Sequence, residues 1–145
     1  MKVNNNSSTI SFLEIYQTDI APRLRSLDLL LKSMDGPITA FQTARALGTT
    51  EREVKGIVDR LGIKEIDRDA FMKIMGQATS RICRLYQREM NIGSPFVYTR
   101  EDVAYIYELP IDTVNQACED LGIKKLTAYT LTDLFSRVNL QPVAM

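Results

Sequence analysis

Arg52 and Lys55, three residues apart and followed by Gly56, are the side chains of this sequence best suited to holding an outside molecule. A guanidinium can take both acceptors of a guanine edge, and an ammonium can sit on a phosphate oxygen. Gln42, Arg45 and Thr50 lie just upstream as further donors, and Arg81, Arg84 and Arg88 recur later at three- and four-residue spacing. Together they suit an anionic polymer. Other chemistry is poorly provided for. The chain has no histidine, and its two cysteines, Cys83 and Cys118, stand alone in different segments, which removes the histidine triads and the usual metal-ligand spacings. There is no glycine-rich phosphate loop, no Gly-x-Ser-x-Gly and no Cys-x-x-Cys. Asp67 with Asp69, and Glu101 with Asp102, read as first-turn helix residues rather than acid–base pairs. Neither catalysis nor a bound cofactor or metal is expected.

Composition sets the frame in which those donors act. A chain of 145 residues, 45% apolar and 25% charged, can close one core without a disulfide or a metal. No apolar run approaches the roughly 20 residues of a membrane span, and the start MKVNNNSS lacks the pattern of a secretion signal, so a cytoplasmic protein is expected. Eighteen basic residues balance eighteen acidic ones. A nucleic-acid site must therefore come from local charge placement.

The elements that place those charges repeat. Leu61, Gly62, Ile63 and Lys64 fall on Leu121, Gly122, Ile123 and Lys124, and the match at this offset of 60 extends from Thr39 on Thr99 to Ile74 on Leu134. The chain divides into a helical leader (1–37), a first module (38–76), a connector (77–95) and a second module with its tail (96–145). In the first module, Thr39 with Gln42 and Thr50 with Glu53 are capping-box signatures. A short helix should end at Gly48, and a second should bury Val54, Ile57, Val58 and Leu61 before Gly62. Asp67 then caps a third helix with Phe71, Ile74 and Met75 inward. The second module repeats this plan. The expected fold is all-α, with two three-helix modules, and is compatible with very short strands at 63–66 and 123–126.

Ala44, Gly48, Val54 and Ile57 make the first module resemble the helix-turn-helix superfamily of DNA-binding proteins. Its pattern is a small residue in the first helix, glycine four later and apolar residues ten and thirteen later. Alanine lets two helices cross closely, glycine takes a positive φ in the turn, and the apolar pair closes the core. The second module keeps Ala104, Val114 and Ala117 but has Glu108 at the glycine position and Pro110 where Thr50 caps the first. The resemblance thus implies DNA contact for the first module and the fold alone for the second. It implies that the second helix enters the major groove, presenting Thr50, Arg52 and Lys55, with Gln42 and Arg45 beside them. Glu51, Glu53 and Asp59 weigh against that face.

Ser11 with Glu14 opens a leader helix carrying Phe12, Ile15, Tyr16 and Ile20, which Pro22 should end or kink. The leader either completes the modules' core or forms a homodimer seam. In the connector a helix over 80–90 sets Arg81, Arg84 and Arg88 opposite Ile82, Cys83, Tyr86 and Met90. That stripe is either a solvated face, the commoner case, or a phosphate-contacting ridge. Net charge is +2 on the connector, +1 on the first module, zero on the leader and −3 on the second module. The leading expectation is a DNA-binding protein, a transcriptional regulator or nucleoid-type accessory factor, with duplex DNA as partner. The alternative is an adaptor in which the second module, with Tyr105, Tyr107 and Ile111 outward, recognises a protein.

Overall fold

The structure, a computed structural model, describes residues 10–93 and 95–140. The octapeptide start and the last five residues of the tail lie outside them. The helices are α1 (Phe12–Ile15), a π-helical segment (Tyr16–Ile20), α2 (Ala21–Ser33), α3 (Ala40–Leu47), α4 (Glu51–Leu61), α5 (Arg68–Met75), α6 (Arg81–Ile92), α7 (Arg100–Tyr107), α8 (Ile111–Leu121) and α9 (Ala128–Ser136). The protein is all-α. Among the described residues none of these helices is long and apolar enough to cross a membrane. Extended pairing is confined to β1 (Ile10–Ser11) against β2 (Asn139–Leu140), antiparallel, and to two single bridges, Ile38 with Ile66 and Tyr98 with Leu126. The stretches 63–66 and 123–126 thus contribute one bridging residue each. The β1–β2 pair is too short to leave an alternating pattern.

Local chemistry explains where the helices begin and end. Thr39 and Thr99 each accept from the backbone N–H three residues on, while Gln42 and Asp102 return the contact to the threonine N–H. Asp67 Oδ1 accepts from Ala70 N at 2.9 Å and starts α5. The helix boundaries recur sixty residues on: α3 begins at Ala40 and α7 at Arg100, α4 at Glu51 and α8 at Ile111, α5 at Arg68 and α9 at Ala128.

The chain forms two compact units. The contiguous unit is Pro22–Asn91, and the split unit combines Met1–Ala21 with Ile92–Met145. The leader, read as one element, is therefore divided, and burial gives the reason. In the split unit Phe12 lies edge-on to Phe135, ring centroids 4.8 Å apart, and Ile20 is buried. Leu27 belongs to the contiguous unit, whose core includes Leu47, Val54, Phe71, Ile74 and Cys83. Pro22 does not end the helix. The turn before it widens to π-helical geometry, with Ala21 N–H bonded to the carbonyl of Tyr16, and a wider turn relieves the clash of the proline ring with the preceding carbonyls.

Candidate nucleic-acid interface

All eight residues singled out for an anionic partner fall in the contiguous unit. Helix α3 packs on α4 with buried Ala44 at their approach, and Val54 and Ile57 bury the inner side of α4. Gly48 ends α3 with φ +69°, and Thr49 N–H reaches the Ala44 carbonyl at 3.0 Å. A side chain at Gly48 would be strained by that φ and would also press on Arg23, whose Nη1 lies 3.2 Å from where a β-carbon would stand.

Thr50 caps α4 by accepting from Glu53 N at 3.1 Å. Its expected capping box is only half made. The Glu53 carboxylate turns instead to the Thr49 hydroxyl and to Thr79, accepting from Thr79 Oγ1 at 2.8 Å and Thr79 N at 3.3 Å. The Thr49 hydrogen bond, with those from Thr79 and the nearby charge of Arg84, holds Glu53 below its ordinary carboxylate range against the opposing effect of burial. Glu53 is thus a strut between the α3–α4 turn and the segment leading into α6, rather than a charge on the outer face. Ser80 reinforces the strut by donating to the Leu47 carbonyl at 2.6 Å and accepting from Cys83 N at 3.3 Å. Gln87 Nε2 closes the intervening turn on the carbonyls of Met75 and Ala78.

The candidate donors divide by what already holds them. Gln42 and Thr50 are committed to helix caps. The Arg45 guanidinium sits 5.8 Å over the ring of Phe41, and Lys55 pairs with Glu51 at 3.1 Å on the surface. Such an exposed pair contributes only about 0.3–0.5 kcal/mol, so a phosphate can displace it. Arg84 Nε donates to the Thr79 carbonyl at 3.0 Å, which fixes its guanidinium beside the turn. Arg81 is exposed and Arg88 half-buried, and Ile82 and Cys83 are buried as expected. Leu85, between the arginines on the same side of α6, is buried too, and Met90, expected on the inner side, is exposed. Arg52 is exposed in the first turn of α4 and, among the described residues, has no hydrogen bond or ion pair.

Burial pushes the Cys83 thiol up, against a lowering hydrogen bond from Ser80, and burial likewise raises Cys118, so neither is a ready nucleophile. Among the described residues no group of three cysteine or carboxylate side chains is placed to hold a metal ion. Sequence reasoning missed Arg23, Thr79 and Ser80 around the turn, and the link from Glu53 to Thr79. Only Glu53 carried a signal, through its place three residues after Thr50.

The equivalent surface of the split unit is arranged differently. Arg100 Nη1 reaches Asn115 Oδ1 at 3.4 Å and Glu119 Oε2 at 3.1 Å, and Gln116 donates to Asp120 at 2.9 Å. Tyr105 and Ile111 are exposed, as their places on the helices suggest. Tyr107 is not. It is half-buried, its ring 4.9 Å from Phe135 and 6.0 Å from Phe12, because the leader supplies an aromatic lid that lies far away in sequence. The chain matches no family model, no curated protein and no solved structure.

Proposed function

We propose that the contiguous unit binds duplex DNA, with α4 presented to the major groove and the cations around its turn on the phosphates. The observation that carries this reading is Arg52. A cation in the first turn of a helix opposes the macrodipole, and this one makes no compensating contact among the described residues. A base edge or phosphate supplies the missing partner. Lys55 adds a weakly held cation, Arg23, Arg81, Arg84 and Arg88 add charge nearby, and Gln42 and Thr50 hold the helix ends. Regulation of transcription, or a nucleoid-type accessory role, is the setting that such binding fits.

The test is duplex binding by the full-length protein across a salt series. Neutralising about four phosphates gives a slope near −3.6, an affinity loss of about a hundredfold between 50 and 200 mM salt. Arg52→Ala should relax sequence preference, and Arg84→Ala should weaken all sequences alike and flatten the slope by about one unit. Absence of binding at 50 mM salt, or binding that survives loss of both Arg52 and Lys55, overturns the proposal. A second reading, protein recognition through α7 and α8, is favoured by exposed Tyr105 and Ile111 and by the carboxylates on α8.

A further inference from the structure

The balanced overall charge conceals a division between the units. Pro22–Asn91 carries thirteen basic and nine acidic residues, while Met1–Ala21 with Ile92–Met145 carries five basic and nine acidic, a net +4 against −4. Within that division one matched position differs in sign at the starts of α4 and α8, although Glu51 and Glu53 flank the cation on α4. Arg52 and Asp112 occupy the same place in the first turn of the two helices, sixty residues apart, and both are exposed. Neighbouring charges are already engaged: Lys55 by Glu51, Glu119 by Arg100, and Asp120 by Gln116. Among the described residues neither Arg52 nor Asp112 has a hydrogen bond or ion pair.

The surroundings of the two residues are complementary as well. Asp112 lines an open cleft of about 330 Å³, together with Gln116, Asp120, Arg137 and Asn139. Arg137 offsets one of the two carboxylates, leaving the cleft with a single net negative charge, which suits one guanidinium. Exposed Tyr105 and Ile111 lie on the same helix pair as Asp112, and exposed Phe41, with Arg45 over its ring, lies on the pair that carries Arg52. Each helix pair therefore carries exposed apolar side chains together with one unengaged charge, and those two charges are opposite in sign, which suits a modest protein interface.

We propose that the α8 face of the split unit docks the α4 face of a second copy of this chain, with Arg52 of one copy entering the cleft beside Asp112 of the other. The association is head to tail, so the two surfaces differ and either close reciprocally in a pair or extend into a chain. It covers the face assigned above to DNA, and self-association and duplex binding then compete. The two ideas fail separately, because self-association is measured without DNA.

The experiment is sedimentation velocity on the full-length protein from micromolar to hundreds of micromolar, at about 50 and about 500 mM salt, where screening shortens from beyond 10 Å to a few ångströms. The expected result is a mass that rises with concentration at low salt and returns to the monomer at high salt. Arg52→Asp and Asp112→Arg should each weaken association at least about tenfold, the lower range measured for close interfacial charge pairs. An equimolar mixture of the two variants should restore it, since each then meets an opposite charge. Circular dichroism confirms folding. Arg52→Gln and Asp112→Asn, which leave the helix ends nearly undisturbed, should shift association in the same direction by less. A monomer at every concentration in low salt, association indifferent to both reversals, or a mixture no better than either variant alone would each overturn the proposal.

Discussion

The turn before α4 and the turn before α8 occupy equivalent places in the sequence, yet different chemistry holds them. Before α4, glycine takes the left-handed position, a threonine caps the helix, and a carboxylate ties the turn to the start of α6. Before α8 the left-handed position is filled by Glu108 at φ 55°, and Pro110 stands at the N-cap, where it gives no side-chain cap. The α8 turn relies on burial, with Leu109 and Val114 inside, and on proline at the N-cap, whose ring fixes φ at −61° just before the helix begins. A glycine signature is therefore one solution to a backbone requirement that packing can also enforce. The two turns also differ in what they leave outward: a cation in one, a carboxylate in the other.

The largest effect should come from crowding the helix crossing. Ala44 is buried at 4% exposure whereas Ala104 is half-open. Ala44→Leu should cost about 1–3 kcal/mol by overpacking, and Ala104→Leu less than about 1 kcal/mol. Urea titration of both variants measures the difference, and equal costs would mean that the two crossings are alike after all.

Next come the left-handed positions. Gly48→Ala should destabilise by about 1–2 kcal/mol, from the positive φ and the approach to Arg23. Glu108→Gly should run the other way, stabilising by up to about 1 kcal/mol as the backbone strain is released. Thermal melts that shift in the same direction for both would break the comparison.

The smallest effect belongs to the strut. The folded-state pKa of Glu53 is lowered, so its contribution is complete above the ordinary carboxylate value of about 4.5 and is lost as the pH falls below that through the folded value. Glu53→Gln should cost about 1 kcal/mol near neutral pH, a figure kept low because solvent reaches the group, and the cost should fade in acid. The stability difference between the variant and the parent chain, followed from pH 7 to pH 3, checks this. The equivalent position in α8, Thr113, has no carboxylate to titrate, so Thr113→Val should show no such fading.

What the sequence made legible was local. Thr39, Asp67 and Thr99 cap helices because their partners lie three residues away. Of the apolar set Val54, Ile57, Val58 and Leu61, the first two are buried, Val58 is half-buried and Leu61 is exposed. The rest depends on partners the spacing cannot reveal. Glu53 meets Thr79 at 26 residues, Ser80 meets the Leu47 carbonyl at 33, and Arg68 reaches the Leu31 carbonyl at the end of α2 at 37. The same blindness made Tyr107 look outward, since its cover, Phe12, comes from the opposite end of the split unit. Of the candidate donors, type and spacing pointed to a basic surface. They could not separate Arg52, left open, from Gln42 and Thr50, which hold helix ends.

The pairing of Ile10 and Ser11 with Asn139 and Leu140, continued by Phe12 N–H on the Val138 carbonyl at 2.7 Å, gives the protein a direction in time. Pro22–Asn91 is an unbroken stretch of chain, and every residue of that unit is synthesised before Val138. The first strand and α1 must wait for Val138. Loop closure over so long a separation is slow compared with contacts made nearby, and domains generally complete themselves in the order in which they emerge. The residues of the basic unit are thus all made before those that close the acidic one, the order in which the two units are expected to complete.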